Sequence, residues 1–217
     1  MPLTILNYSQ EICGTPIDTV PPCPPLQTVV PPCSDFTHYE NVIKWTTNGL
    51  CDNDVVKYNI YYKLQKGDEF IKIATVANTV FTYTDSRENL KKSIAGCYVV
   101  TGVDSFDNES SLNAFVCIDN CPQYTLPNVF TPNGDNLNDT FKPFQYRFID
   151  RIELVVYNRW GDKVFSTNDI DINWDGTDSS SGKPLGDGIY FYVCQVYEQY
   201  LDGLKKRTLK GTIQIIH

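Results

Sequence analysis

Residues 151–165 read RIELVVYNRWGDKVF, and they decide the fold class of this chain. The apolar side chains of Ile152, Leu154 and Val156 recur at every second position, which is the period of a strand with one buried face. The preceding segment, from Phe144 to Ile152, is the nearest approach to a helical period, and it runs directly into this alternation. The Asn-Arg-Trp-Gly-Asp run then supplies turn-forming residues. The stretch therefore predicts a strand, a turn and a second strand.

The rest of the chain follows the same pattern. Other strand-like runs recur at short intervals with turn residues between them, and no long segment keeps a helical period. Short strands separated by turns are typical of β-sandwiches. We predict an all-β chain built as two tandem antiparallel β-sandwiches.

Composition argues against several functional classes. The chain has 217 residues and a net charge of −8 at pH 7, which disfavours a nucleic acid or an anionic membrane as partner. No stretch approaches the roughly 18 apolar residues of a membrane-spanning helix.

With two histidines, the chain has little material for a Ser-His-Asp triad. Carboxylate pairs of the glycosidase type need only lie close in space, but Asp and Glu here cluster in turns, where solvation explains them. We therefore expect no enzyme.

Eight cysteines indicate disulfides rather than a metal site. The tightest pair, Cys117 and Cys121, is separated by three residues, and neither His38 nor His217 is near it in sequence, so typical zinc spacing is missing. Disulfides place the chain in an oxidising compartment. The first residues, MPLTILNYSQ, have neither the basic start nor the apolar core of a secretory signal. We therefore expect a piece of a longer exported protein.

Two proline-containing stretches divide the chain. Residues 19–33 (TVPPCPPLQTVVPPC) are too rich in proline for a central strand and predict an extended linker that leads into an edge strand. Residues 117–127 (CIDNCPQYTLP) mark a second boundary. We predict a remnant strand and linker of a preceding domain in residues 1–20, one sandwich in residues 21–121 and a second in residues 122–217.

The first predicted sandwich has a recognisable strand order. Ile43 and Trp45 alternate on an early strand, and Val56, Tyr58, Ile60, Tyr62 and Leu64 form one face of the next strand. Tyr98 starts a later strand after a loop, as at a tyrosine corner. This order, with DSFDNES at residues 104–110, resembles a fibronectin type III domain. The resemblance implies a spacer in a surface protein.

The same strand order predicts one disulfide. If Tyr98 faces the core, Cys97 faces away from it, and a hairpin that turns near residue 107 places Cys97 opposite Cys117. Closing this loop is worth roughly 3 kcal/mol by the chain-entropy estimate. Eight cysteines allow many other pairings. The further candidates are Cys33 with Cys51 and Cys23 with Cys121, while Cys13 is expected to have lost its partner with the upstream chain and Cys194 to be a buried free thiol.

A second stretch, LPNVFTPNGDNLNDTF at residues 126–141, places many side-chain oxygens in one turn between two apolar runs. Three interpretations are open. The Asn and Asp side chains can bond to their own backbone and hold the turn. Asn133, Asp135 and Asp139, helped by Asn138, can ring a calcium ion, although the spacing is not that of an EF-hand. A partner protein can also recognise this turn.

This stretch is the first of five motifs in the C-terminal part of the chain. The others are YNRWGDKVF (157–165), NWDGTDSSSGKPL (173–185), GIYFYV (188–193) and KGTIQII (210–216). Together they resemble the gliding motility-associated C-terminal domain, the type B sorting domain of Bacteroidetes proteins exported by the type IX secretion system. In two departures, Asn136 stands where the family usually has glycine, and GDGIY replaces the commoner Pro-x-Gly-Thr-Tyr. Because Asn tolerates the left-handed conformation, Asn136 is expected to keep the turn.

The resemblance implies a non-catalytic secretion signal that directs a larger protein, such as a gliding-motility adhesin, through the periplasm to the cell surface. Its partners would be outer-membrane components of the type IX secretion system, namely barrel-type receptors and the translocon. The alternative is an adhesin module that binds glycans or surfaces through its sandwich loops. Recognition is expected at three turns, with the residues Thr131, Pro132, Asn133, Gly134, Asp135, Asn138, Asp139, Asn158, Arg159, Trp160, Gly161, Trp174, Asp175 and Gly176.

The last strands of the chain carry a further expectation. From Ile189 to Tyr197 both faces of the predicted strand are apolar or aromatic. One face is expected to pack on the core, and the other to lie inside a sheet stack or at an interface. Ile213 and Ile215 are assigned to one face of the last strand. The basic run from Lys205 to Arg207 is interpreted as a solvated turn region that discourages edge pairing.

Overall fold

The protein is seen in a computed structural model that describes residues 18–33, 39–49 and 54–217. Over these residues the regular structure is twelve strands and one short 3₁₀ helix, Glu88–Lys91, so the all-β prediction is confirmed. No helix within these ranges is long and apolar enough to span a bilayer. The strands are β1 (Leu26–Val30), β2 (Asn41–Thr46), β3 (Lys57–Lys63), β4 (Ile71–Ala77), β5 (Thr82–Asp85), β6 (Gly96–Val103), β7 (Val116–Ile118), β8 (Val129–Phe130), β9 (Ile149–Tyr157), β10 (Lys163–Thr167), β11 (Gly188–Tyr200) and β12 (Gly203–Ile215).

The first seven strands form two sheets with the orders β1-β2-β5 and β4-β3-β6-β7. β1 is an edge strand, as the prolines before it predict. Alternate residues of β2, β3 and β6 point into a shared core, since successive strand side chains face opposite sides. This core consists of Ile43, Trp45, Val55, Tyr58, Ile60, Tyr62, Tyr98 and Val100.

The predicted inward face of β3 is too long at both ends. Val56 and Leu64 lie outside the strand and are 44% and 47% exposed. In contrast, Asn59 on the opposite face is buried, because its amide donates to Glu109 Oε1 at 2.9 Å and its carbonyl oxygen accepts a bond from Thr75 at 2.7 Å. The segment that carries Glu109 folds back over the sheet and covers this outer face. A two-residue period cannot show such a cover, because the covering residues lie far away in sequence.

Tyr98 is buried in the first sandwich, and its hydroxyl group is fully used. The hydroxyl donates to Asp85 Oδ2 at 2.7 Å and accepts a bond from the Asn41 amide at 2.9 Å. Burial raises the pKa of Tyr98. At a tyrosine corner the hydroxyl usually bonds to the backbone a few residues upstream, whereas here it bonds to side chains of β2 and β5.

The hairpin β6–β7 carries the disulfide that its register predicts. Cys97 is opposite Cys117, with Cα atoms 4.0 Å apart, and Tyr98 is opposite Val116. Cys97 faces away from the core, yet it is fully buried. Cys194 is a buried free cysteine, as predicted. Cys13 lies outside the described residues.

The other two predicted pairings are wrong, because Cys33 is bonded to Cys121 across a Cα distance of 5.5 Å. The Gln27 amide donates to the Ala114 carbonyl at 2.5 Å, which brings β1 alongside the segment leading into β7. Cys33 and Cys121 follow this contact by similar numbers of residues in their two segments, so the two cysteines lie side by side. Cys33 is therefore not paired with Cys51, which lies outside the described residues, and Cys121 is not paired with Cys23. Cys23 is itself disulfide-bonded.

The last five strands form one sheet in the order β10-β9-β11-β12-β8. All its pairings are antiparallel except that of β8 with β12, which is parallel and was not predicted. Irregular segments, joined by isolated bridges such as Phe141 with Trp174, cover one face of the sheet. The core between them consists of Tyr124, Phe130, Phe141, Ile152, Leu154, Val156, Val164, Ile172, Trp174, Tyr190, Cys194, Val196, Ile213 and Ile215. The alternating apolar face of β9 and the Ile213–Ile215 face of β12 both line this core.

One end of this sheet, the proximal end, contacts the first sandwich. Phe148 is buried against Leu90 and Ile94, with Cys121 beside them. The Asn120 amide donates to the Gln199 carbonyl at 3.2 Å, next to the turn between β11 and β12. The opposite end of the sheet, the distal end, is therefore the one that points away from this junction.

Candidate functional site

The motif turns of the C-terminal sheet gather at its distal end. β9 ends there at Tyr157, β11 begins there at Gly188, and β12 ends there at Ile215 beside Phe130 of β8. Strand polarity therefore places the segments 131–139, 158–162 and 185–187 at the same end. The sequence placed each of these turns between strands, but it did not show that they converge.

The 131–139 turn is held by its own side chains. Asp139 accepts N–H bonds from Gly134 and Asn136, each at 2.8 Å, through its two carboxylate oxygens. Asp135 Oδ1 accepts the Leu137 N–H at 2.7 Å. These are the contacts expected when Asn and Asp side chains replace the missing partners of a turn backbone.

The backbone of this turn uses the left-handed region three times. Gly134 has φ of +80°, Asn136 +66° and Asn138 +55°. The prediction that Asn136 supports the turn in the place of a glycine is confirmed, because Asn is among the residues that tolerate this region. The turn closes with a bond from the Thr131 N–H to the Asn138 carbonyl at 2.9 Å.

The hydrogen bonds of this turn support the first interpretation of its oxygen-rich sequence. A calcium ion would need the oxygens of Asp139 and Asp135, and these oxygens already face N–H groups whose positive ends point at them. Calcium binding by Asn133, Asp135 and Asp139 stays a prediction, and a melting experiment for it is given below.

The turn between β9 and β10 presents an exposed tryptophan. Asn158 Oδ1 accepts the N–H groups of Trp160 and Asp162, each at 2.9 Å, and Gly161 has φ of +88°. These contacts fix the turn and leave Trp160 72% exposed, with the Arg159 guanidinium 4.1 Å from its ring centroid. An exposed tryptophan with an arginine on a rigid turn has the composition of a binding hot spot.

Trp174 has a different position from the one predicted for a recognition residue. It is 1% exposed, its ring stacks on Phe165 at 5.2 Å, and its indole N–H donates to the Thr177 carbonyl at 2.8 Å. A side chain this deeply buried cannot touch a partner. Trp174 is therefore a core residue, and its expected role in direct recognition is corrected.

The two residues after Trp174 differ in exposure. Asp175 is exposed and accepts the Thr177 N–H and hydroxyl, and the hydroxyl bond holds the pKa of Asp175 below its usual value. Gly176 is buried with φ of +83°, and a Cβ there would lie 3.4 Å from both the Phe130 ring and Pro132. Gly176 therefore packs under the start of the 131–139 turn, while recognition through Asp175 stays a prediction.

A groove of about 410 Å³ lies between the Trp160 turn and the start of β11. Its other wall includes Leu185, Asp187 and Ile189. The His217 imidazole lies 2.7 Å from Asp187, and this contact lowers the pKa of Asp187. These wall residues were not predicted as recognition residues, although the apolar Ile189 on the outward face of β11 was a signal for them.

Two further polar features lie in the first sandwich. Carboxylate oxygens of Asp18, Asp54 and Asp104 lie within 4.8 Å of one another. Asp104 accepts N–H groups from Phe106 and Asn108 at 2.8 Å, so hydrogen bonds within its own loop account for its burial. On the sheet face, the Tyr61 hydroxyl donates to Glu109 at 2.8 Å, and that hydroxyl is therefore engaged within the protein.

Comparison with known families agrees with this architecture. Residues 124–215 match the family described as CHU_C Type IX secretion signal domain. This match covers the C-terminal sheet and all three turns at its distal end. It supports a C-terminal secretion signal, and it implies export to the cell surface or beyond and interaction with a secretion machinery. No curated protein sequence is significantly similar to the chain.

Solved structures show only distant likeness. The chicken CNTN1 FN1–FN3 domains are 11% identical, with a TM-score of 0.37 over 90% of this chain and 69% of that one. The chicken interferon gamma receptor alpha chain is 9% identical, with a TM-score of 0.36 over 92% and 100%. Pectate lyase Pel3 from Pectobacterium carotovorum is 18% identical, with a TM-score of 0.28 over 43% and 31%, so this chain spans about a third of that enzyme. These TM-scores support no inference about function.

Proposed function

Because residues 124–215 match a type IX secretion signal domain, we propose that residues 122–217 are a non-catalytic sorting module that outer-membrane components of that system recognise at its distal end. The module would carry a larger cell-surface protein through the periplasm to the outer surface. Residues 21–121 would be a spacer domain of that protein, and residues 1–20 the end of a domain before it.

The observation that carries this proposal is the convergence of the motif turns. The 131–139 and 158–162 turns are exposed and fixed by side-chain bonds to their own backbone. A rigid surface loses little conformational entropy on binding, which favours recognition of a folded module. The proximal end is engaged with the first sandwich, so the distal end is the one available to a receptor.

Trp160 and Arg159 supply the contact chemistry in this proposal. Trp160 offers the largest exposed apolar side chain of the distal end, and Arg159 stacks on it and keeps N–H donors free for a carboxylate or carbonyl. The buried Trp174 and Gly176 hold the 131–139 turn in place. Recognition would therefore depend on two kinds of residue, those that touch the receptor and those that position the turns.

The test is a secretion assay in a bacterium with this system, using the full chain, residues 1–217, fused to a fluorescent reporter. We expect surface delivery of the wild-type fusion and at least about a tenfold loss with Trp160→Ala, since truncating a hot-spot aromatic costs about 2 kcal/mol or more in affinity. The matched control is Phe144→Ala, which removes an exposed aromatic side chain outside the distal turns. Delivery of a reporter that lacks residues 122–217 would refute the proposal.

A further inference from the structure

The C-terminal sheet has one face that the core does not use. Its core face consists of the buried, even-numbered positions of β9 and β11 and the buried, odd-numbered positions of β12. Strand alternation therefore places the remaining side chains on the opposite side. This outer face contains Arg151, Glu153, Val155 and Tyr157 of β9, Ile189, Phe191, Val193, Gln195 and Tyr197 of β11, and Lys206, Thr208, Lys210, Thr212 and Gln214 of β12.

In the proximal half of the outer face, the side chains bond to one another. The Tyr197 hydroxyl donates to Glu153 at 3.0 Å, and the Arg151 guanidinium lies 3.8 Å from the Tyr197 ring centroid. Thr208 donates to Gln195 at 2.7 Å across the neighbouring strand pair. Polar groups here satisfy one another, as is usual on a solvated sheet face.

The distal half is mainly apolar, and within the described ranges its side chains make no such hydrogen bonds with one another. Phe191 is 47% exposed and Ile189 is 56% exposed, and Val155, Tyr157 and Val193 lie around them. Register places Phe191 opposite Tyr157 and Val193 opposite Val155. These five residues, called the apolar patch below, form a contiguous apolar area, a feature that marks interaction sites on soluble proteins.

Cations flank the apolar patch. Lys163 is opposite Tyr157 on one side, and Lys210 is opposite Val193 on the other. In the part of the chain that the structure describes, neither lysine is within ion-pair distance of a carboxylate. Glu153 on the same face is engaged by Tyr197, and Asp187 near the start of β11 is engaged by His217. In a chain of net charge −8, two lysines thus flank the apolar patch.

We propose that the apolar patch docks a folded protein of the secretion machinery whose surface has an apolar ridge flanked by carboxylates. This inference rests on the proposed function and adds to it a second contact area next to the distal turns. Ile189 belongs both to the patch and to the groove beside Trp160, so the two areas are continuous. A partner seated on Trp160 would therefore reach Phe191 without a break in the interface.

Charge favours this occupant over a second copy of the chain. Two patches placed face to face would bring lysines against lysines, and like charges across an interface cost free energy. A partner with carboxylates at the rim would instead pair with Lys163 and Lys210. Such charged rims act mainly on association rate and specificity, while the buried centre supplies affinity.

The test uses the reporter fusion of the full chain with single substitutions. Phe191→Thr removes the centre of the patch and keeps a strand-forming residue, and Lys210→Glu reverses its rim. We expect Phe191→Thr to lower surface delivery about tenfold or more, as loss of a hot-spot contact does. Lys210→Glu is expected to lower delivery by a smaller factor, because reversing a rim charge mainly slows association. Lys206→Glu, a charge reversal on the proximal half of the same face, is the matched control and is expected to leave delivery unchanged.

Three results would overturn the inference. The first is normal delivery of both Phe191→Thr and Lys210→Glu with the wild type also delivered, which would leave the proposed function intact. The second is a Phe191-dependent dimer of the purified chain in sedimentation velocity, which would identify a second copy as the occupant. The third is Lys210-dependent binding to vesicles of phosphatidylethanolamine and phosphatidylglycerol, which would identify a lipid surface.

Failure of the wild-type fusion itself to reach the surface would refute the proposed function and this inference with it. Circular dichroism of the purified variants, with Ile189→Thr as a second patch variant, separates lost docking from lost folding.

Discussion

Two tryptophans of the C-terminal domain, fourteen positions apart in sequence, have opposite roles. Trp174 is enclosed by the rings of Phe130, Phe141 and Phe165, whereas Trp160 stands on a solvent-exposed turn. Residue type alone gives both the same expectation. The difference arises from what packs around each ring.

We predict that Trp174→Ala lowers the free energy of unfolding of the C-terminal domain by about 3–5 kcal/mol, because it leaves a cavity in the aromatic core. Trp160→Ala is expected to change the same quantity by about 0.5 kcal/mol or less, since its side chain is exposed. Guanidinium unfolding followed by circular dichroism measures both. Equal losses for the two variants would contradict the assignment of Trp174 to the core and Trp160 to the surface.

The 131–139 turn yields a prediction about calcium. Asp139→Ala removes the acceptor of two backbone N–H bonds and is expected to destabilise the domain by about 1–3 kcal/mol. Because side-chain bonds already hold this turn, we expect the wild type to melt at the same temperature in calcium and in chelator. A calcium-dependent rise in melting temperature that Asp135→Ala abolishes would instead favour the metal interpretation.

The Asp85 carboxylate predicts a pH dependence for the first sandwich. Burial alone would raise the pKa of Asp85, but hydrogen bonds from Arg87 and Tyr98 outweigh it and hold the pKa below its usual value. The stability that this ionised group contributes is therefore present above the unfolded pKa of about 3.9 and is lost as the pH falls through the lower folded pKa.

Thermal unfolding between pH 3 and pH 7 would measure this effect, at roughly unit steps that span the unfolded pKa. We expect Asp85→Asn to melt below the wild type at pH 7 and the difference to shrink as the carboxylate is protonated. A difference that stays constant over the whole range would show that Asp85 does not contribute through its charge.

Among the secondary-structure elements, the long hairpin β11–β12 depends on one close contact, between the backbone of Gly211 and the ring of Tyr192. A Cβ on Gly211 would lie 2.8 Å from the Tyr192 ring, its partner across the strand pair. Glycine in a strand often marks such a contact. The hairpin spans the sheet from the junction to the distal end, so a shift here would move both ends.

We expect Gly211→Ala to destabilise the C-terminal domain by about 1–3 kcal/mol, the usual cost of overpacking. Because the clash is with one ring, Gly211→Ala combined with Tyr192→Leu should recover part of the loss. Gly186→Ala, where a Cβ meets no atom within 4 Å, is the matched control. Chemical unfolding compares the variants, and the lack of any recovery in the double variant would contradict this explanation.

In the molecule as a whole, one asparagine joins the first sandwich to the C-terminal sheet. Asn120 Oδ1 accepts the N–H groups of Ile94 and Ala95 at 2.9 and 3.1 Å, and its amide donates to Gln199 of β11. Asn120 is 6% exposed. The residue therefore satisfies backbone groups on both sides of the junction, next to the Cys33–Cys121 disulfide.

Asn120→Ala should uncouple the junction without unfolding either sheet, because it leaves buried N–H groups without an acceptor. We expect faster hydrogen exchange at Ile94, Ala95 and the tip of the β11–β12 hairpin, with little change in the interior strand β9. Hydrogen exchange resolved by mass spectrometry measures this pattern. Uniformly faster exchange across both sheets would show a global rather than a local effect.

Local sequence patterns were enough to predict the fold class, the strand alternation of β9 and the Cys97–Cys117 pairing, and to reveal the family motifs. These features depend on residues that are neighbours in the chain or that one hairpin register relates, so a short-range pattern can specify them. The three recognition turns were likewise recognisable as turns in the sequence. The exposure of their side chains could not be predicted from it.

Features that depend on long-range packing emerged only in the folded chain. It placed Trp174 in the core, bonded Cys33 to Cys121, covered Asn59 with the Glu109 segment and left Phe191 exposed on the outer face. Each outcome depends on segments far apart in sequence, and a strand period shows which side chains share a face but not what covers that face. The physical reason is that burial is a property of the assembled sheets, whereas periodicity is a property of one strand.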